Sequence, residues 1–207
     1  MKKAMRICLL GDYRGFPDEG MKNISHTIRD MLSLKHNVLA LTSREIITKG
    51  LYKKIKLFRP QIIHYLHGPT IQSLMLLRLL KAAFGIKSKT IASATRPFIF
   101  KNSKLLIQLL KPDLILTQSL KFESFFKDNG CKVEFLPNGV NCNKFFPTNV
   151  SVKYHLREEL GLPGDKRIVL HVGHIKANRN LEIFKDIQKL DMHRYTQIKF
   201  LGLLKKR

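Results

Sequence analysis

The sequence contains no tryptophan and only three cysteines, Cys8, Cys131 and Cys142. An odd number of cysteines without CxxC spacing is not typical of a disulfide framework or of a zinc-binding cluster. Long hydrophobic runs are also missing. The apolar run near the N-terminus, RICLL, stops at Gly11-Asp12, which is too short for a signal sequence or a membrane span. A reducing cytoplasm is therefore the expected location.

Acidic residues are scarce and unevenly distributed. The chain has 38 Lys and Arg against 15 Asp and Glu, which gives a formal net charge of +23. Between Ile46 and Pro112 there is no acidic residue, whereas 13 residues are Lys or Arg. The positive field of so many basic residues attracts anions. The candidate partners are nucleic acid, an anionic membrane surface and a phosphorylated substrate. Without a zinc-finger spacing, a recognition-helix pattern or an RNP-type aromatic strand, we expect no nucleic-acid partner.

Several segments interleave basic residues with large apolar ones, namely YKKIKLFRP, SLMLLRLLKAAFGIK and FIFKNSKLLIQLLK. One interpretation is a set of helices that pack on the core and expose a basic edge to solvent. The other is a peripheral membrane surface, because basic amphipathic helices bind anionic lipid heads through charge and apolar insertion. The sequence leaves both interpretations open.

Short apolar runs alternate with segments of helical period along most of the chain. The predicted strands are RICLLGDY, HNVLALTS, QIIHYLH, KTIASAT, DLILTQS and KVEFLP, and the helices between them include MKNISHTIRDMLSL, TIQSLMLLRLLKAAF, SKLLIQLL and LKFESFFKDN. This alternation predicts a parallel, doubly wound α/β sheet of Rossmann-like type. A second α/β unit begins after Pro147, with strands RIVLHVGHI and QIKFLG. We expect one domain over residues 1–147 and an incomplete second domain over 148–207.

The segment that joins the two units is FLPNGVNCNKFFP, from Phe135 to Pro147. Its Pro-Asn-Gly predicts a tight turn after the last strand. The segment resembles the interdomain signature of the retaining glycosyltransferases of the GT-B fold, in the group 1 or family 4-like class that uses nucleotide sugars. Further stretches resemble other parts of that family in the same order, namely GDYRGFPDEG, FRPQIIHYLHG, DLILTQSLKFESFF and REELGLPGDKRIVLHVGHIKANRNLEIF.

The resemblance implies a function as well as a fold. It implies two Rossmann-like domains and transfer of a sugar from a nucleotide-diphosphate sugar to a lipid-linked or polysaccharide acceptor. It further implies a cytoplasmic enzyme, peripheral at the inner face of the membrane, that needs no metal or other cofactor. The family's paired glutamates would follow the second strand of the donor domain, and the sequence ends before them. The expectation is a truncated enzyme that is weak or inactive as written.

The resemblance also assigns residues to the donor phosphates. Gly173, His174 and Arg179 in VGHIKANRN match the family's phosphate-binding loop, where His174 stands in place of the usual Arg and Arg179 in place of the usual Lys. Histidine is only partly protonated near neutral pH, so Arg179 is the more dependable cation. Gly20 matches one of the two glycines that the family places near the first helix, and Met21 replaces the other.

On the acceptor side the candidates are His64, His67 and Arg96. The two histidines lie at the end of a predicted strand, the edge at which open α/β sheets bind ligands. Because no third ligand of convincing spacing accompanies them, we expect no metal. Family relatives commonly carry a further His near the position of Thr95, which this chain lacks. No catalytic residue is assigned, and the alternative function is a noncatalytic basic α/β module that binds membranes or nucleic acid.

Overall fold

The computed structural model describes residues 3–14, 20–42, 49–84, 88–95 and 104–165, together with 168, 171–172, 183, 186 and 200–201. The chain divides into two compact units, Met1–Gly139 and Val140–Arg207. In these ranges it has an α/β fold with six helices, one six-stranded sheet and one two-stranded sheet.

The first unit is a parallel sheet of six strands in the order β2-β1-β3-β4-β5-β6. The strands are β1 (Arg6–Gly11), β2 (Asn37–Thr42), β3 (Ile62–Gly68), β4 (Lys89–Ala94), β5 (Leu114–Thr117) and β6 (Val133–Phe135). The helices are α1 (Gly20–Ser33), α2 (Lys49–Phe58), α3 (Ile71–Phe84), α4 (Lys104–Leu110) and α5 (Leu120–Asp128). The predicted parallel, Rossmann-like α/β sheet is therefore confirmed.

Helices cover the sheet on both faces, which is why its central strands are apolar without alternation. Ile7 and Leu9 of β1 lie in a cluster with Leu66, packed against Ile28 and Leu32 of α1. The intervening side chains of β1 face the other way.

On that opposite face, Cys8 and Leu10 share a larger core with Ile55 of α2 and with Leu74 and Leu77 of α3. The basic segment YKKIKLFRP thus contains most of a helix, α2, that contributes Ile55 to the core. The core-packed interpretation of this segment accounts for Ile55 but does not explain Tyr52 and Leu57, whose side chains are exposed.

The three thiols lie in different environments. Cys8 is wholly buried, and burial raises its pKa to about 12. Cys131 is buried near β6, where desolvation raises its pKa although Lys111 acts in the opposite direction. Cys142 is exposed.

The second unit contains α6 (Val150–Glu159), β7 (His171–Val172) and β8 (Phe200–Leu201), and the two strands pair in parallel. Asn149 caps α6, because its side-chain oxygen accepts a hydrogen bond from the backbone N–H of Val152 at 2.9 Å.

Candidate functional site

The strand order reverses between β1 and β3, since the chain passes from β1 outward to β2 and then returns to the other side of β1. In open α/β sheets ligands bind outside the carboxyl ends of the strands at such a switch point. Here the two strands end at Gly11 and Gly68, and the helices that follow them, α1 and α3, begin at Gly20 and Ile71. We refer to this edge as the switch-point crevice.

Two helices present their N-terminal ends near this edge. Gly20 is the first residue of α1, and a Cβ built there would meet no described atom within 4 Å. At the start of α3 the backbone N–H of Thr70 donates to Ser73 Oγ at 2.8 Å, and the N–H of Ser73 donates to Thr70 Oγ1 at 3.1 Å. The N–H groups of Thr70 and Ser73 are thus already paired within α3. Both helix N-termini still carry partial positive charge, which favours anionic groups in the crevice.

His67 ties the end of β3 to the first turns of α1. Its Nε2 lies 2.7 Å from Ser25 Oγ and 3.2 Å from the carbonyl oxygen of Met21. Because the hydroxyl proton of Ser25 goes to that same carbonyl at 3.0 Å, the ring must carry a proton on Nε2 and donate it. Ser25 is fully buried, so this Ser–His pair does not present a nucleophile to solvent. His67 acts instead as an anchor that positions the start of α1.

Small residues allow the elements to approach closely at this edge. A Cβ on Gly11 would lie 2.9 Å from Ser25 Oγ and 3.2 Å from Leu66 Cδ1. A Cβ on Gly68 would lie 3.2 Å from Ser73 Oγ. Both positions therefore bring a helix start close to a strand end.

His64 lies deeper in the sheet than His67. It is 7% exposed, and its Nε2 is 2.8 Å from Ser93 Oγ of β4. Desolvation by burial lowers the pKa of His64 to about 4, so the ring is neutral at physiological pH. The structure thus separates the two histidines, with His67 against α1 and His64 bonded within the sheet.

The loop after β1 begins with Asp12 and Tyr13. Desolvation acts to raise the pKa of Asp12, but hydrogen bonds from the backbone and side chain of Arg14 lower it overall. The Tyr13 ring packs edge-on against His26, and the Arg29 guanidinium lies 5.8 Å from its centroid. Its buried hydroxyl has no hydrogen-bond partner among the described residues, and burial raises its pKa.

The segment that resembles an interdomain signature starts at the same edge of the sheet. The backbone N–H of Leu136 donates to the carbonyl of Thr117 at 2.7 Å, which extends the pairing of β6 with β5. The Gln118 side chain donates to the side-chain oxygen of Asn138. Residues 137–139 are therefore held at the carboxyl end of β5. The tight turn predicted at Pro-Asn-Gly is not found there: the turn lies at residues 142–144, where the carbonyl of Asn141 accepts from the backbone N–H groups of Lys144 and Phe145 at 3.0 and 2.9 Å. The boundary between the two units falls between Gly139 and Val140.

Among the predicted site residues, Gly20, His64 and His67 lie within the described part of the chain. The remaining ones, Gly173, His174, Arg179 and Arg96, lie outside it.

Thr95, which stands near the position of a family histidine, donates its backbone N–H to Gly68 O at 3.1 Å, so it borders the end of β3. Sequence reasoning missed Ser25 and Gln118, because a single serine or glutamine in a helix or after a strand carries no periodic signal.

Within the described ranges no three His, Cys, Asp or Glu side chains come together as a metal-binding group. No described helix is both long enough and apolar enough to cross a membrane.

Comparisons with known proteins define no family. No family model matches the chain, and no curated protein does. Among solved structures, a crystal structure of a GDP-L-fucose synthetase from Naegleria fowleri is similar with a TM-score of 0.31 and 11% sequence identity. The match covers 82% of this chain and 62% of that one. A likeness this distant says nothing about activity, so the class of the protein is the one its sheet defines, a Rossmann-like α/β protein.

Proposed function

We propose that the protein is a glycosyltransferase of the GT-B type, which transfers a sugar from a nucleotide-diphosphate sugar to a lipid-linked or polysaccharide acceptor. The observation that carries the proposal is the position of the PNGV segment. It follows the last strand of a six-stranded parallel sheet, and the two compact units divide between its Gly139 and Val140. This position supports the proposal, because the resembling family has its signature between two domains.

The switch-point crevice supports the same proposal. Gly20 opens α1, and no described atom lies within 4 Å of the place that a Cβ would take there, so a phosphate could approach the backbone. The loop between β1 and α1 lacks the GxGxxG spacing of dinucleotide-binding sheets, which favours a donor other than NAD.

The chemistry requires cations where charge develops on the leaving diphosphate. In this proposal Arg179 supplies a permanent charge to the phosphates and His174 a pH-dependent one. His67 is assigned a positioning role, because its Nε2–H already bonds within the fold. The acceptor would lie against the first unit, near the carboxyl end of β3.

Binding of the donor tests the proposal directly. The purified 207-residue chain would be titrated with UDP-, GDP- and dTDP-sugars, with the matching free nucleotides, and with NADH and NADPH, by calorimetry. Transfer of labelled sugar to lipid-linked and saccharide acceptors would be followed in parallel. We expect at least one nucleotide-diphosphate sugar to bind in preference to the reduced dinucleotides. Binding of NADH or NADPH alone would contradict the proposal.

Replacement of Arg179 tests the phosphate role. Removing a charged hydrogen-bond partner costs about 1.5 to 3 kcal/mol, so Arg179→Ala should weaken donor binding by roughly tenfold to a hundredfold. Arg179→Lys keeps the positive charge and should lose less of the donor affinity. Lys153→Ala removes an exposed cation of α6 and serves as the matched control. Unchanged donor affinity in Arg179→Ala would show that Arg179 does not bind the donor phosphates.

A further inference from the structure

A basic groove lies near the amino ends of strands β1 and β3. The switch-point crevice is at the carboxyl ends of the same strands. The groove has a volume of about 640 Å³ and is lined by Arg6, Lys53, Lys56, Leu57, Phe58 and Arg59. Arg6 is the first residue of β1, and Arg59 precedes β3 by three positions, so the groove sits where these strands begin. Its volume is within the range of small-molecule sites.

Hydrogen bonds hold Arg6 against the backbone of the turn that contains Arg59. Arg6 Nε donates to the carbonyl of Arg59 at 2.8 Å, and the backbone N–H of Arg6 donates to Gln61 Oε1 at 2.9 Å. The N–H of Gln61 donates in turn to the carbonyl of Arg6 at 2.8 Å. The fold therefore keeps Arg6 beside the turn that carries Arg59, despite their like charge.

The backbone at Arg59 is itself unusual. Its φ is 48°, in the left-handed region that glycine and asparagine adopt at lower cost. Such strain is retained where the surroundings over-determine it, and it clusters at functional sites. The turn places an arginine at this position, three residues beyond Lys56 on α2.

Nothing negative balances these charges in the described part of the chain. Lys53, Lys56 and Arg59 are spaced by three residues, which aligns them along one side of α2 and its end. No described carboxylate forms an ion pair with any of these three or with Arg6. Like charges that line one groove repel one another, and a bound anion would relieve the repulsion.

We propose that the basic groove is a phosphate-binding site, separate from the switch-point crevice. The ligand is a phosphate ester, either a soluble phosphorylated molecule or the headgroup of an anionic lipid. The arginines offer planar donor groups suited to phosphate oxygens, and the lysines add charge. Leu57, 75% exposed at the rim, supplies an apolar contact beside the charged group. This site goes beyond the proposed glycosyl transfer and does not depend on it.

Charge reversal in the groove tests the proposal. The double variant Lys53→Glu/Lys56→Glu would be compared with Lys121→Glu/Lys132→Glu, which alters two exposed lysines near β5 and β6 and gives the same net charge. All four lysines are exposed, so circular dichroism and thermal melts should match the wild type. Each protein would be titrated with inorganic tripolyphosphate by calorimetry, and sedimented with vesicles of phosphatidylcholine with or without phosphatidylglycerol, in 150 mM salt (about physiological ionic strength).

The groove variant should lose at least about tenfold in affinity for one of the two probes, whereas the control should stay within about twofold. Loss on tripolyphosphate alone identifies a soluble ligand, and loss on phosphatidylglycerol vesicles identifies a lipid headgroup. Equal losses in the two double variants, or no loss in either, would overturn the proposal, because binding would then follow total charge rather than this groove. Donor-sugar binding at the other edge of the sheet should be unchanged in the groove variant, so failure of one proposal leaves the other intact.

Discussion

Asp113 joins three elements at the start of β5. Its carboxylate accepts hydrogen bonds from Lys81 Nζ at 2.6 and 2.7 Å, and from the N–H and hydroxyl of Thr90 at 2.8 and 2.9 Å. Desolvation acts to raise the pKa of Asp113, but the hydrogen bonds from Lys81 and Thr90 outweigh it and lower the pKa to about 2. The folded state thus stabilises the ionised carboxylate of Asp113 more than the unfolded state does.

The linked prediction concerns the pH dependence of stability. Because the pKa of Asp113 is lower in the folded state, its ionised carboxylate stabilises the protein at pH values above the unfolded pKa of 3.8. This contribution is lost as the pH falls towards 2. Asp113→Asn should therefore lower the free energy of unfolding by about 2 kcal/mol at pH 7, and the difference from wild type should shrink below about pH 4. Urea unfolding at pH 7 and pH 3 measures both values.

Glu123→Gln is the control for Asp113→Asn. Glu123 pairs with the exposed Lys127 one turn further along α5, so its loss should hardly move the unfolding midpoint. An equal effect of the two variants would show that the network around Asp113 adds nothing beyond a surface pair.

Two glycines of the first βα connection differ in what surrounds them. Gly11→Ala would place a methyl 2.9 Å from Ser25 Oγ, which is itself held by His67 and Met21, so α1 would have to move away from β1. We expect a loss of about 1 to 3 kcal/mol in the free energy of unfolding. The methyl of Gly20→Ala would meet no described atom within 4 Å, so this variant should leave stability unchanged or slightly higher. Denaturant unfolding of the pair measures the difference, and equal losses would contradict the packing argument.

Periodicity was sufficient to predict most of the elements. Continuous apolar runs such as RICLL and QIIHYL are what a strand covered on both faces requires, and the structure has β1 and β3 there. Contacts between elements could not be read in this way. The bond between His67 and Ser25 joins residues 42 positions apart, and that between Arg6 and Arg59 joins residues 53 apart. Both depend on strand order, which no local pattern encodes. Roles assigned to Gly173, His174, Arg179 and Arg96 stay predictions.

At the scale of the whole molecule, the junction of the two units should be the first point of proteolysis. Side chains from Glu134 to Val150 are all exposed, and Lys144 lies among them. Because limited proteolysis favours exposed segments with few tertiary contacts, trypsin should cut early after Lys144 and release a fragment close to the first unit, Met1–Gly139.

The variant Lys144→Gln removes this trypsin site without altering the core. Mass spectrometry of timed digests should then show the early fragment in the wild type and its delay in the variant. An early cut inside β1 or β3 would contradict the assignment of the first unit as a compact body.

The three cysteines differ in burial, so the rates at which their thiols are alkylated report on local and global unfolding. Cys142 is exposed in the native state, so its rate of alkylation measures the intrinsic reactivity of the reagent without any unfolding. Cys131 lies beside β6, at one margin of the sheet, and becomes reactive when that margin frays. Cys8 lies in β1, between β2 and β3, and has no exposed surface, so it is reached only when the packing around β1 comes apart. The order in which the three thiols are modified therefore resolves peripheral fraying from global unfolding in a single unmutated chain.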